Sequence, residues 1–129
     1  GGKLGAQLLK VSDIMHKDDK IPTVEKDTLM PQTLLEMTSK GFGIAAVTDR
    51  GALMGVISDG DLRRHMTNLL QKKAGQIATK KPVTINQDSL AVMALAKMNQ
   101  KKINVILAVD YKNKPVGILH IHDCIRIGL

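Results

Sequence analysis

The sequence predicts an α/β (α+β) fold: two β-α-β-β-α repeats packed about a pseudo-two-fold axis. Three observations carry that expectation. First, the chain matches itself. At an offset of about 61, Thr23-Val24 meets Thr84-Ile85, Asp27-Thr28-Leu29 meets Asp88-Ser89-Leu90, and Leu34, Met37, Lys40 and Asp49 meet Leu95, Met98, Lys101 and Asp110. One residue inserted in the following turn moves the offset to 62, where Gly55-Val56-Ile57 meets Gly117-Ile118-Leu119, and Asp61 and Arg64 meet Asp123 and Arg126. Second, each copy carries a stretch of helical apolar period followed by two short apolar runs on either side of a polar turn. Third, 129 residues with 43% apolar content can bury a core, whereas one copy is too short to bury its own sheet. The copies are therefore expected to pack on one another.

Each copy reads the same way along the chain. A short extended piece (Pro22 to Val24; Val83 to Ile85) leads to a helix whose start is expected at Asp27-Thr28 and Asp88-Ser89, because their side-chain oxygens can accept from free amides. Pro31 is tolerated only in a first helical turn. Met30, Leu34 and Met37, like Ala91, Leu95 and Met98, give each helix one apolar face. Gly41 suits a left-handed helix stop. Ile44-Ala45-Ala46-Val47 and Val105-Ile106-Leu107-Ala108 then read as buried strands. Each turns through Asp49-Arg50-Gly51 or Asp110-Tyr111-Lys112-Asn113 into a second strand ending at Ile57 or Leu119, which is a hairpin. A second helix is expected from about Asp59 to Leu70 and from about Ile121 to Ile127. The result is two three-stranded sheets, with Leu70 to Ala78 as the linker.

Composition removes several functions. The net charge is +7, but the lysines are spread along the chain with acids between them, which describes a solvated surface rather than a nucleic-acid arm. Phe42 and Tyr111 are the only aromatics, too few for a base-stacking platform, so no nucleic-acid partner is expected. The single cysteine, Cys124, cannot form an intrachain disulfide, and a reducing, cytoplasmic setting fits it. No run is long enough to span a bilayer and no signal peptide is visible, so no membrane partner is expected either. The seven methionines fall mostly on apolar helix faces and read as core filler.

Chemistry concentrates where the third strand of the first copy becomes a helix: Gly55-Val56-Ile57-Ser58-Asp59-Gly60-Asp61-Leu62-Arg63-Arg64. Ser58 and Asp61 form the pattern of a capping box. They also suit a ligand: the helix-start amides attract phosphate, Ser58 can donate to it, Asp61 can accept from a ribose diol, and Gly60 permits close backbone approach. The readings are compatible, since a ligand can use the same groups. In the second copy His120 replaces Ser58, His122 replaces Gly60, and Asp123 is kept. An imidazole still donates to phosphate, more strongly when protonated, but is bulkier than a hydroxyl. His120-x-His122-Asp123 also suggests Zn²⁺, yet it straddles a strand-to-helix junction and lacks a completing ligand, so no metal site is expected.

The doubled unit, Asp13-Ile14-Met15 leading into the first copy, and Gly-x-x-Ser-x-x-Asp at Gly55, Ser58 and Asp61 resemble a pair of CBS domains across nearly the whole chain. That resemblance implies adenosine-type nucleotides bound in clefts between paired sheets. It places the base against Ile21-Pro22-Thr23 and Gly43-Ile44-Ala45, the sugar-phosphate at Ser58, Gly60 and Asp61, and a second site at Thr84, His120, His122 and Asp123. More narrowly, Asp59-Gly60-Asp61-Leu62-Arg63-Arg64, Leu119-His120-Ile121-His122-Asp123 and the opening Gly1-Gly2-Lys3-Leu4-Gly5 resemble the C-terminal region of bacterial D-arabinose 5-phosphate isomerases. This implies that 1–10 is the tail of a preceding sugar isomerase domain, 11–70 CBS repeat 1 and 71–129 CBS repeat 2. It also implies that the catalytic residues lie upstream. With Glu25 and Glu36 as the only glutamates, no base constellation for moving a proton beside a carbonyl is visible, so no catalytic residue is expected here. No cofactor is required. The implied effector is an adenine nucleotide or a cytidine-activated sugar acid, and the implied partners are the isomerase domain and further copies joined through CBS pairs. A ligand-independent dimerisation module is the alternative.

Overall fold

The computed structural model describes residues 2–129, so Gly1 of the opening glycine-rich motif lies outside the described residues. In chain order the elements are α1 (Gly2–Gln7), α2 (Val11–Ile14), β1 (Thr23–Glu25), α3 (Met30–Lys40), β2 (Ala45–Asp49), β3 (Ala52–Ile57), α4 (Asp59–Arg64), α5 (Ala74–Ile77), β4 (Thr79–Lys80), β5 (Thr84–Asn86), α6 (Ala91–Lys101), β6 (Val105–Val109), β7 (Pro115–His120) and α7 (Ile121–Arg126). Contacts divide the chain into two compact units. The first is Ile21–Pro82; the second joins the described residues up to Lys20 to Val83–Leu129. Each half of the chain thus lends its opening segment to the unit built mainly by the other half.

The first unit holds a sheet in the order β1-β2-β3-β4, with β1 parallel to β2 and the other neighbours antiparallel. Three strands were expected, and β4 is the fourth. The stretch Leu70 to Ala78 is not a linker: a 3-10 turn at Leu69–Gln71 and α5 fold it onto the sheet, burying Leu69, Ala74 and Ile77 in the core with Met30, Met37, Ala45, Val47 and Ile57. A single helical turn is too short to show a period, which is why the pattern missed it. The preceding helix, α4, ends at Arg64 rather than Leu70, and Asn68 adopts a left-handed conformation with φ +56°.

Helix α3 begins at Met30, with Leu29 as its cap residue and Gly41 stopping it at φ +78°. The expected side-chain caps at Asp27-Thr28 lie before the helix. The backbone supplies the partner instead: the Met30 N–H donates to the Lys72 carbonyl at 3.0 Å. In the second unit Leu90 caps α6, and the Ala91 N–H donates to the Leu9 carbonyl at 2.8 Å, which displaces the Asp88-Ser89 expectation in the same way. A helix end satisfied by a crossing segment needs no polar cap side chain.

In the second unit β5 runs parallel to β6 and β7 antiparallel to it. Val11, Ile85, Ala94, Met98, Ile106, Ala108, Leu119 and Cys124 form the core. Leu34 and Leu95, placed by periodicity on the apolar helix faces, pack against their respective cores as partly buried side chains. The inserted residue lies in the hairpin turn. Arg50 and Gly51, both at positive φ, make a two-residue connection between Asp49 and Ala52, the geometry of a primed turn. The second hairpin needs three residues, because the Asp110 N–H donates to the Lys114 carbonyl, with Asn113 at φ +61°.

Glycine is required where a segment crosses a strand. A Cβ on Gly55 would lie 2.6 Å from the Thr79 carbonyl oxygen, whereas one on Gly117 would meet only the flexible Met15 side chain. Gly55→Ala is therefore expected to destabilise the protein by about 2 kcal/mol, as overpacking does. Gly117→Ala should cost less. Urea unfolding of the two variants checks the order.

Candidate functional site

Register brings the predicted residues of the first unit to one end of its sheet. Thr23 is paired with Ala46, Ala45 with Ile57, and Val56 with Thr79. The start of β1, the start of β2, the end of β3 and the start of β4 therefore lie side by side. Ile21 is buried, Thr23 exposed, Gly43 exposed at φ +78°, Ile44 half-buried and Ala45 fully buried. The Thr23 hydroxyl donates to the Ile21 carbonyl. Ser58 follows β3 directly and opens α4.

Asp61 is the centre of this arrangement. It is 2% exposed and accepts four hydrogen bonds. Its Oδ2 takes the Ser58 N–H at 2.9 Å and the Ser58 hydroxyl at 3.1 Å. Its Oδ1 takes the Arg64 guanidinium at 2.7 Å and the Thr79 hydroxyl. Burial alone would raise the carboxyl's pKa, but the bonds from Thr79, the Ser58 backbone, Arg64 and the Ser58 hydroxyl outweigh it and hold the group below its ordinary value. Arg64 is 63% exposed along its side chain and lies over Gly60, where a Cβ would come 3.1 Å from its Nη1. Gly60 thus makes room for the guanidinium. Helix α4 has only six residues, so charge at this end of the sheet comes from side chains more than from a helix dipole.

The second unit repeats the plan with different side chains. Thr84 starts β5, and its carbonyl accepts from Lys97 Nζ. The His120 N–H donates to Asp123 Oδ2 at 2.8 Å, as the Ser58 N–H does to Asp61. His16 Nε2 lies 3.1 Å from the same oxygen, and Arg126 Nη1 lies 3.5 Å from Oδ1. The His122 N–H donates to His120 Nδ1 at 3.0 Å, and the two rings stand 4.5 Å apart. Burial, then His122, lower the His120 pKa; Asp123 opposes them and His16 adds to them. Cys124, beside Asp123 in sequence, is buried, and its thiol is pushed up to about 11 by burial and by Asp123, which leaves it unreactive. Among the described residues no group of three or more His, Cys, Asp or Glu side chains is placed to hold a metal ion.

Sequence reasoning missed Thr79 and His16, the residues that reach each carboxylate from the crossing segment. They occupy equivalent places: Thr79 pairs with Val56 and His16 with Ile118. A signal was present. At an offset of 63, Lys10-Val11-Ser12-Asp13-Ile14-Met15-His16 lies against Lys73-Ala74-Gly75-Gln76-Ile77-Ala78-Thr79, with only the lysines and isoleucines identical.

A repeated sheet-and-helix unit with an acid at the start of its last helix defines a pair of CBS domains. The family model "CBS domain" matches residues 11–68 and 74–129, so the chain belongs to that family. Over its full length it is 40% identical to arabinose 5-phosphate isomerase KdsD of Pseudomonas aeruginosa and 41% identical to an uncharacterized protein of Rickettsia prowazekii, covering 41% of each. The chain thus spans about two fifths of the curated relatives it matches. Among solved structures, the CBS-pair protein CBSX2 of Arabidopsis thaliana matches with a TM-score of 0.78 and 22% identity over 92% of both chains. CBSX2 in complex with AMP matches with a TM-score of 0.77 and 23% identity over 92% of this chain and 94% of that one. Among the described residues no helix is long and apolar enough to cross a membrane.

The carboxylate of Asp61 stabilises the fold while it is ionised. Because its pKa is depressed on folding, that contribution is complete above the ordinary carboxylate value and is lost as pH falls through and below it. Thermal melts between pH 6 and pH 3 should show a loss of stability that Asp61→Asn reduces. The variant itself should cost about 2 kcal/mol at pH 7, from donors left poorly paired.

Proposed function

We propose that this chain is the regulatory CBS pair of a cytoplasmic D-arabinose 5-phosphate isomerase and binds a nucleotide or nucleotide sugar. In this reading an isomerase domain outside these residues interconverts D-arabinose 5-phosphate and D-ribulose 5-phosphate, for the synthesis of 3-deoxy-D-manno-octulosonate. The CBS pairs join copies of the chain into an oligomer. Similarity of essentially the whole of this chain to about two fifths of the isomerases' length supports the identity of the parent enzyme. The observation that carries the ligand reading is the ionised Asp61 at the sheet end shared by Ile21, Thr23, Gly43, Ile44, Ala45, Ser58 and Gly60. AMP in the complex of the structurally similar CBSX2 supports it further.

The hydrogen bonds suggest how binding proceeds. Asp61 has no spare acceptor position, so a ribose diol must replace donors already present. Arg64 is the exposed one. Once replaced by a hydroxyl, its guanidinium is free to take the ligand phosphate, so the cationic partner that Asp61 gives up passes to the ligand. Thr84, His120, His122 and Asp123 form the companion position in the second unit.

Calorimetry of the 129-residue chain with AMP and with a cytidine-activated sugar acid tests the proposal. At least one should bind, and Asp61→Asn should weaken that ligand about tenfold or more, since a charge-assisted hydrogen bond is lost. A chain that binds neither, yet dimerises with a melting temperature indifferent to nucleotides, is the ligand-independent dimerisation module instead.

A further inference from the structure

Phe42 is the chain's only phenylalanine. It lies in the loop that joins α3 to β2, between Gly41 and Gly43, both in the left-handed region at φ +78°. Two such turns bend the backbone sharply on either side of one residue, which glycine permits at no steric cost. A Cβ added to either glycine would meet nothing within 4 Å, so there is open space on both flanks. The loop runs directly into Ala45, which pairs with Ile57, the residue before Ser58, while Thr23 pairs with Ala46. Phe42 therefore stands at the sheet end that gathers Thr23, Ala45, Ser58 and Asp61. The second unit provides an internal control. There Ile103 takes the place of Phe42, flanked by Lys102 and Asn104. Ile103 packs against the core of its unit, and the Ile121 N–H donates to the Asn104 carbonyl at 2.8 Å. In the first unit the partly buried side chains packed against the core are, among the described residues, Val24, Leu34, Met54, Leu62 and Ala78. Phe42, half-buried, is not one of them. The fold therefore needs neither a ring nor paired glycines in this loop, yet the first unit carries both.

We propose that Phe42 is a specificity-determining residue of the first unit, its ring the face on which the heterocycle of a ligand stacks. Core packing accounts for Ile103 but not for Phe42, and an aromatic ring left off the core beside a polar site suits a planar, weakly polar group. The side chains gathered around Asp61 are Ser58, Arg64 and Thr79, hydroxyls and a guanidinium that match a sugar-phosphate and offer a base no face to lie on. The ring supplies that face. Stacking asks for a planar partner and for no particular hydrogen-bond pattern, so one ring is enough for one base, although a row of them would be needed to follow a strand. The glycines on either side give the ring freedom to turn into the plane of its partner. In the second unit an aliphatic side chain seated on the core stands at the same place, so the two units differ in how they can hold a heterocycle.

This rests on the nucleotide reading of the first unit given above, and its test separates the two. Calorimetry with AMP and with CMP is run on the unsubstituted chain, on Phe42→Leu and on Phe42→Trp. Leucine keeps the apolar bulk and lacks the ring, so affinity for the nucleotide that binds should fall about fivefold or more, the effect of losing one base–aromatic stack. The urea midpoint of that variant should stay near that of the unsubstituted chain, because Phe42 is not part of the core. Phe42→Trp should hold or raise the affinity. Since the chain has no tryptophan of its own, that variant also carries a single reporter: the nucleotide should quench its fluorescence, and ribose 5-phosphate, which has no base, should not. Nucleotide affinity unchanged in Phe42→Leu, affinity lost equally in Phe42→Leu and Phe42→Trp, or equal quenching by ribose 5-phosphate each overturns the proposal and leaves the nucleotide reading standing. If the unsubstituted chain binds neither nucleotide, both fall together.

Discussion

Each unit depends on one buried carboxylate that holds two pieces of chain at once. Asp61 accepts from the start of its own helix through Ser58 and from the crossing segment through Thr79. Asp123 does the same through the His120 N–H and His16. An acid placed three residues into a helix ordinarily satisfies one amide. Here the same group also fastens the incoming segment against the last long strand of the sheet, beside Gly55, where the Thr79 backbone leaves no room for a side chain, or beside Gly117, which the Met15 side chain covers. The strand-end glycine, the cap residue and the acid are consequences of that one fastening. Their spacing is fixed by the geometry of the strand-to-helix turn.

The same fastening explains what could be read from the amino-acid sequence. The repeat, the hairpins, the apolar helix faces and the Ser58-to-Asp61 motif are local patterns, so their residues reveal them. The register of β1 and β3 on either side of β2 gathers the predicted residues at one sheet end. What stayed hidden is non-local. Met30 takes its amide partner from Lys72 and Ala91 from Leu9. No side chain at Asp27 or Ser89 announces this, because the partner is a backbone carbonyl tens of residues away. Thr79 and His16 escaped for the same reason: their importance lies in the carboxylate they reach. The fourth strand, β4, is two residues long and carries no periodicity at all.

The two units also show which parts of the scaffold are free to change. Both keep the carboxylate, the arginine three residues later and the helix turn. Between them the cap residue changes from Ser58 to His120, the crossing residue from Thr79 to His16, and the close-packed Gly60 becomes His122. With Gly60, Arg64 lies over the backbone at 2.7 Å from its acid; with His122 in that place, Arg126 stands at 3.5 Å. The scaffold tolerates these changes because the hydrogen bond that builds it is a backbone N–H to the carboxylate, present in both. Side chains around that bond are then available for ligand chemistry.

A carboxylate that is already saturated sets the terms for any ligand. Net affinity is the difference between the bonds a ligand makes and those it displaces, so occupancy need not be tight. Which donor gives way decides whether binding is felt elsewhere. Replacing Arg64 disturbs only an exposed side chain. Replacing Thr79 unfastens β4, which has just two residues paired to β3 and leads directly to Pro82 and the entry to β5. If, as proposed, ligands seat on Asp61, two of them can therefore have different effects. One that exchanges with the guanidinium fills the site and leaves the backbone path unchanged. One that also draws off the Thr79 hydroxyl shifts the balance between fastened and unfastened states, which is the differential interaction that regulation by a small molecule requires.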